Sequence, residues 1–316
     1  MVITLAAAAA AVAGTAAPAA AAPAAGQSVQ PGPPAVFSWG WNQGGEVGNG
    51  TTTPQATPGP VLGLPTVHGL QVTVKQVAYG SLSYAGAALL ADGTMYTWGR
   101  NNTGELGDGT TTQRLTAAIV PRLSGITQIA EGGGFMLAAG TGGAVWAWGL
   151  NDNGELGDGT TTNRTSPVPV PGLTGITQLS VSPAHVLALR SDGTVWSWGD
   201  NNAGQLGNGT TTSRSTPGLV PGLTGITQVA AGDGLSYALR SDGTLFVWGS
   251  GVLGVGSTKA YTPVAVPLAG VTQVSTSGDD TLAIVGPSHT VYAWGMNFGG
   301  RSATERSTSS RTPRCS

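Results

Sequence analysis

Apolar residues in this chain come in runs too short for helices, each closed by a turn. Leu187, Ala188 and Leu189 lead into Ser191, Asp192 and Gly193, and Thr194, Val195, Trp196, Ser197 and Trp198 follow. Two β-rich runs joined by an Asp-Gly turn predict a β-hairpin. Asp92-Gly93 and Asp242-Gly243 mark the same hairpin elsewhere. Pro167 to Val170 predicts an outer edge strand, and Ile176 to Val181 a further strand. Aromatic residues at Phe37, Tyr96, Trp146, Trp196, Phe246 and Tyr292 stand two positions before Trp39, Trp98, Trp148, Trp198, Trp248 and Trp294. A period of two puts both rings of each pair on one face of a sheet. The six pairs are therefore expected to form the structural core where sheets pack, each ring removing about 150–250 Å² from water.

The pattern repeats. Trp-Gly recurs at the six tryptophans just named, with spacings of 59, 50, 50, 50 and 46 residues. RNNTGELGDGTTTQR from Arg100, LNDNGELGDGTTTNR from Leu150 and DNNAGQLGNGTTTSR from Asp200 align without a gap, and WNQGGEVGNGTTTPQ from Trp41 follows the same plan. Glycine at fixed offsets beside Asn or Asp suits a loop that reverses through positive φ angles. Units of about fifty residues with several strands each predict an all-β β-propeller, with an open β-solenoid as the alternative.

Composition agrees with many short strands and tight turns. The 316 residues include 52 Gly and 20 Pro but only 13 basic and 15 acidic residues. A net charge of -2 offers no basic stripe for phosphates, so a nucleic-acid partner is not expected. One cysteine, Cys315, excludes an internal disulfide framework and a multi-cysteine zinc site. The Ala-rich, uncharged start reads as a signal peptide over residues 1–25, with small residues at Ala19 to Ala22 for cleavage, and residues 26–35 as a linker. A membrane anchor is the rival reading, although Pro18 and Pro23 interrupt the run and no stable span is expected.

These motifs resemble the regulator of chromosome condensation repeat family, whose blades carry Gly-x-x-His-Ser-Leu-Ala-Leu, an Asp-Gly hairpin, Trp-Gly and then Asn-x-x-Gly-Gln-Leu-Gly. The resemblance runs from about Phe37 to Phe298. It implies a propeller, usually of seven blades, closed by strands from both chain ends; about six blades are visible here, as in a truncated ring. Only His185 keeps the family histidine, and counting back from the hairpins puts Ala85, Phe135, Leu235 and Thr281 at the equivalent positions. The fifth unit has lost most of its loop, and the last ceases to match after Gly300. Over Arg301 to Glu305 a shifted reading frame permits Leu-Gly-Asp-Gly at the distance from Trp294 that Leu106 to Gly109 keep from Trp98. A frameshift is the hypothesis this suggests, with the propeller over 36–300, a disordered tail over 301–316 and no role for Cys315.

No catalytic constellation is legible. His185 is the single histidine inside a well-formed blade motif, and neither His68 nor His289 has a visible partner for a hydrolase triad. Glu46, Glu105, Glu155, Asp108 and Asp158 recur with the repeat, as loop construction requires and a unique active site does not. Asn151, Asp152, Asn153 and Glu155 lack the spacing of a calcium loop. Gly132 to Gly134 has no following Lys or helix with which to cradle phosphate. Neither a metal, a cofactor nor a small-molecule substrate is expected, and the chain is not expected to be an enzyme. What remains is recognition of a protein or cell-envelope partner through blade loops, with Tyr84, Phe135, His185 and Tyr237 as candidate contacts. Guanine-nucleotide exchange on a small GTPase, which the resemblance implies for the founding member, and β-lactamase inhibition are the alternatives. The expected setting is extracellular or at the cell surface.

Overall fold

The computed structural model describes residues 36–67, 70–80, 84–296 and 310–315. The first unit contributes β1 (Phe37–Gly40) and β2 (Gln55–Pro60), which pair with each other, and the insertion after it adds a short hairpin of β3 (Thr66–Val67) and β4 (Leu70–Gln71). Five four-stranded antiparallel sheets follow in chain order. They are β5 (Val74–Tyr79), β6 (Ala85–Leu90), β7 (Met95–Gly99) and β8 (Arg114–Ile119); β9 (Ile126–Glu131), β10 (Phe135–Gly140), β11 (Val145–Gly149) and β12 (Arg164–Pro169); β13 (Ile176–Val181), β14 (His185–Arg190), β15 (Val195–Gly199) and β16 (Arg214–Leu219). The last two sheets hold β17 (Ile226–Ala231), β18 (Leu235–Arg240), β19 (Leu245–Ser250) and β20 (Lys259–Ala265), then β21 (Val271–Ser277), β22 (Asp280–Val285), β23 (Thr290–Gly295) and β24 (Ser310–Cys315). The hairpin expected between Leu187 and Trp198 is β14–β15, with Trp198 opposite Val186. Among the described residues no helix is long and apolar enough to cross a membrane.

The core lies between sheets. In β10, Phe135, Leu137 and Ala139 join Val145 and Ala147 against the next sheet, while Met136 and Ala138 join Trp146 and Trp148 against the preceding one. Both faces of a middle strand are thus apolar, which is why β10 is buried along its whole length. Each repeat Trp from the second unit onward is buried, and the half-buried aromatic two positions before it packs against the same cluster, as the period of two requires. In the first four of these the indole Nε1–H donates to a carbonyl in the loop of the preceding unit: Trp98 to Glu46 at 2.8 Å, Trp148 to Glu105 at 2.9 Å, Trp198 to Glu155 at 2.8 Å and Trp248 to Gln205 at 2.8 Å. Glycine lets the loop come that close. Gly157, at φ +67°, would bring a Cβ within 2.8 Å of the Trp198 indole nitrogen.

The innermost strands β5, β9, β13, β17 and β21 each touch the next around a central axis. One glutamine per strand staples them. Gln76 donates to the Ile129 carbonyl and accepts from the Ile129 amide at 2.7 and 2.9 Å, and Gln128, Gln178 and Gln228 do the same to Leu179, Val229 and Val274. Gln273 holds the equivalent place in β21 and has no such partner among the described residues.

Three sequence expectations need correction. Trp39 does not belong to the buried core: it is 62% exposed and Phe37 beside it is exposed too. The reason is position, since β1 pairs only with β2 among the described residues, whereas its counterpart β7 lies between β6 and β8. The tail over 301–316 is not disordered at Ser310–Cys315, which forms β24 with Gly295 opposite Ser310 and Tyr292 opposite Cys315. Gly99, Gly149 and Gly199 face Arg114, Arg164 and Arg214 in the same way, so these residues take the outer-strand place of their unit. Finally, the counterpart of His185 in the last sheet is Asp280, opposite Gly295 as His185 is opposite Gly199, because the turn at Gly286 to His289 moves the register by one from Thr281. The signal peptide, the linker, His68 and the rest of the tail lie outside the described residues.

Candidate functional site

The long loops between the third and fourth strands of successive units share one internal scaffold. Asn101 is fully buried; its Oδ1 accepts from the Leu106 amide at 2.9 Å and its Nδ2 donates to the carbonyls of Thr110 and Thr112 at 3.1 and 3.0 Å. Asn42, Asn151 and Asn201 repeat these bonds. The recurrent carboxylates close the same loops. Glu105 accepts from the Thr103 amide at 2.7 Å, and Glu155 from the Asn153 amide and side chain, with burial pushing the Glu155 carboxyl above its ordinary range. Asp108 and Asp158 pair with Arg114 and Arg164 at 2.6 and 2.7 Å. Burial raises both aspartates, but hydrogen bonds from Thr110 and Thr160 and the arginines outweigh it and hold them below the usual carboxylate range. Asn151, Asn153 and Glu155 therefore spend their polar atoms on the loop itself.

Of the four candidate contact residues, only Tyr84 reaches the surface, at 42% exposure. Phe135, His185 and Tyr237 are fully buried, which corrects their assignment to loops. They lie in the second strand of a sheet, where both faces are covered by neighbouring sheets. His185 is held by two hydroxyls, with Ser182 Oγ 2.7 Å from Nδ1 and Ser236 Oγ of the next sheet 2.8 Å from Nε2. Burial pushes its pKa down to about 4, with Asp200 opposing the shift, so the ring is neutral at neutral pH. The Tyr237 hydroxyl accepts from Thr281 Oγ1 at 2.8 Å, and its ring meets Trp294 edge-on at 6.2 Å.

Tyr84 opens onto a cleft of about 490 Å³ between the first loop and the β5–β8 sheet. Trp41, Gln43 and Glu46 line it from the loop, and Tyr84 just before β6 and Arg100 and Asn102 just after β7 line it from the next unit. Trp41 is 58% exposed. The Arg100 guanidinium lies 5.3 Å over the Tyr84 ring, and with the Asn102 amide oxygen turned toward it both Nε and Nη2 donate at 3.0 Å. The Arg100 amide also donates to the Tyr84 carbonyl at 2.8 Å. Glu46 is pinned by the Gly44 amide at 2.9 Å. Sequence reasoning missed Trp41 and Arg100. Their signal was departure from the repeat: Trp41 aligns with Arg100, Leu150, Asp200 and Ser250, and Tyr84 with Gly134, Ala184 and Gly234. A second cavity, of about 550 Å³, lies at the central axis among Thr177, Gln178, Thr227, Gln228, Thr272 and Gln273.

The sequence model of the RCC1-like domain matches residues 34–315. Over 91 residues the chain is 35% identical to the Ultraviolet-B receptor UVR8 of Arabidopsis thaliana, covering 29% of this chain and 19% of that protein. Over 101 residues it is 39% identical to the human E3 ubiquitin-protein ligase HERC2, covering 30% of this chain and 2% of that protein. The chain thus matches only a minor part of these relatives. Among solved structures, human WBSCR16 superposes with a TM-score of 0.79 at 22% identity, covering 91% of this chain and 77% of that one. Yeast RCC1 (Prp20), solved bound to Kap60, superposes with a TM-score of 0.63 at 19% identity, covering 88% and 82%.

Proposed function

The chain belongs to the RCC1-like domain family, and from that premise we propose that it is an exported, non-enzymatic recognition scaffold that docks a partner on its loop face. The carrying observation is the cleft between the first two units, where Trp41 and Tyr84 stay exposed on loops that are otherwise internally satisfied. A rigid frame with one non-repeating aromatic site suits binding, since aromatic anchors dominate recognition energetics. The non-enzymatic part is supported by the fate of the candidate groups. His185 is sealed between two serines, and Glu105, Glu155, Asp108 and Asp158 are engaged in loop construction. Export is supported by the Ala-rich start.

The test is retention of a partner from culture supernatant and cell envelope by the immobilised chain, compared with Trp41→Ala and Tyr84→Ala. Retention by the parent and loss in both variants is expected. Equal retention by all three would place recognition elsewhere, and accelerated release of labelled GDP from a small GTPase would overturn the reading in favour of nucleotide exchange. Immunoblotting of cell fractions checks export, with the chain expected outside the cytosol and shortened near residues 19–25.

A further inference from the structure

The cleft between the first loop and the β5–β8 sheet has a chemical character that narrows its ligand. Its two aromatic rings are largely open: Trp41 is 58% exposed, Tyr84 is 42% exposed with Arg100 over one face, and the equivalent positions of the other units build the same loops without both of them. Folding therefore does not require the pair. The rest of the lining is polar, with the amides of Gln43, Asn102 and Gln113, the Arg100 guanidinium and the largely buried Glu46 carboxylate. The two charged groups cancel, and Arg100 is already engaged by Asn102 and the Tyr84 ring, which leaves little to attract an anion. The volume of about 490 Å³ falls within the roughly 300–1,000 Å³ of small-ligand sites.

A ligand matching these walls has a flat apolar face for the rings, a rim of hydroxyls for the amides and carboxylate, and no net charge. A pyranose ring has that form: its axial C–H face packs on an aromatic ring, and its equatorial hydroxyls both donate and accept, as amide and carboxylate edges demand. From this geometry we infer that the cleft binds a neutral hexose segment of an envelope polysaccharide, with Trp41 and Tyr84 as stacking platforms. This rests on the recognition reading and names its ligand class. The site is preorganised, because Arg100 and Glu46 are held in place by bonds of 2.9–3.0 Å before any ligand arrives.

The experiment titrates the full chain with pentamers of glucose, mannose, galactose and N-acetylglucosamine, read by tryptophan fluorescence and calorimetry. In parallel, envelope material is treated with periodate or with protease before the retention assay. Saturable binding of at least one pentamer is expected, weakened about tenfold or more by Trp41→Ala and by Tyr84→Ala, and kept within about threefold by Trp41→Phe. Unchanged melting of the exposed-site variants separates lost contact from lost fold. Retention of envelope material is expected to fall on periodate treatment and to survive protease. No pentamer binding at millimolar concentration, with retention lost to protease and indifferent to periodate, would overturn the sugar assignment while leaving the recognition scaffold standing. Absence of any retained material overturns both.

Discussion

His185 shows how one residue turns a surface-type side chain into a packing element. Its ring bridges two sheets through Ser182 and Ser236, and Ser236 passes the chain on to the Gln205 carbonyl at 2.8 Å. Because burial holds its pKa at about 4, the unfolded chain binds a proton that the folded chain refuses between pH 6.5 and pH 4. Stability is therefore full above pH 6.5 and falls as pH drops to 4, by up to about 3 kcal/mol. Urea unfolding from pH 7 to pH 4 should show this decline, and His185→Leu, which copies Leu235 of the next unit, should remove it; an unaltered decline would put the titration elsewhere. Asn151 is the other decisive residue type. Replacing it by Ala strands the Leu156 amide and the Thr160 and Thr162 carbonyls, at a cost of about 2–4 kcal/mol. Thermal melting should reveal that loss, and Asp should not rescue it, because a carboxylate would face carbonyl oxygens. Sequence repetition exposed Asn151 as a loop residue but not its burial, which depends on a loop that folds back around it.

Between elements, two devices recur: a glutamine on the inner strand joins the successive four-stranded sheets, and an indole on the third strand bonds the preceding loop in every unit from the second to the fifth. Their periodicity supplies internal controls. Gln178→Ala removes both bonds that tie β13 to the Val229 position of β17 and should lower the urea midpoint by the equivalent of about 2 kcal/mol. Gln273→Ala, at the end of the ladder, should change stability by less than about 0.5 kcal/mol. Equal effects would mean that the ladder contributes nothing. Trp198→Phe should cost about 1 kcal/mol more than Trp294→Phe, since Trp198 donates to the Glu155 carbonyl while Trp294 faces the shortened fifth loop and meets no loop carbonyl. The tryptophans were legible from the Trp-Gly spacing. The glutamines were not, because a Thr-Gln step in a strand is unremarkable until curvature brings the next strand's backbone within reach.

At the scale of the molecule, five complete sheets follow a two-stranded first unit, and the inner edge of β1 carries no partner among the described residues. Phe37 and Trp39 are exposed there, an apolar strand edge of the sort that templates further pairing. The chain should self-associate with rising concentration, and Trp39→Lys combined with Phe37→Lys should suppress this in sedimentation velocity while leaving thermal melting unchanged. A monomer at all concentrations would show the edge to be covered. Here the sequence misled: Trp39 carries the same Trp-Gly signature as its five counterparts, and a local motif does not record whether a preceding sheet exists to bury it.

Sequence alone determined the unit, its strands and the residues of its loops, because strand pairing, turn chemistry and the period of two are set by neighbours a few residues apart. It also determined the family through the order of those motifs. Tertiary structure decided which repeated residues are buried, that Ser310–Cys315 completes the last sheet, and that Trp41 and Tyr84, 43 positions apart, line one cleft. Those outcomes depend on how one sheet packs against the next, a relation between distant segments that no local pattern encodes.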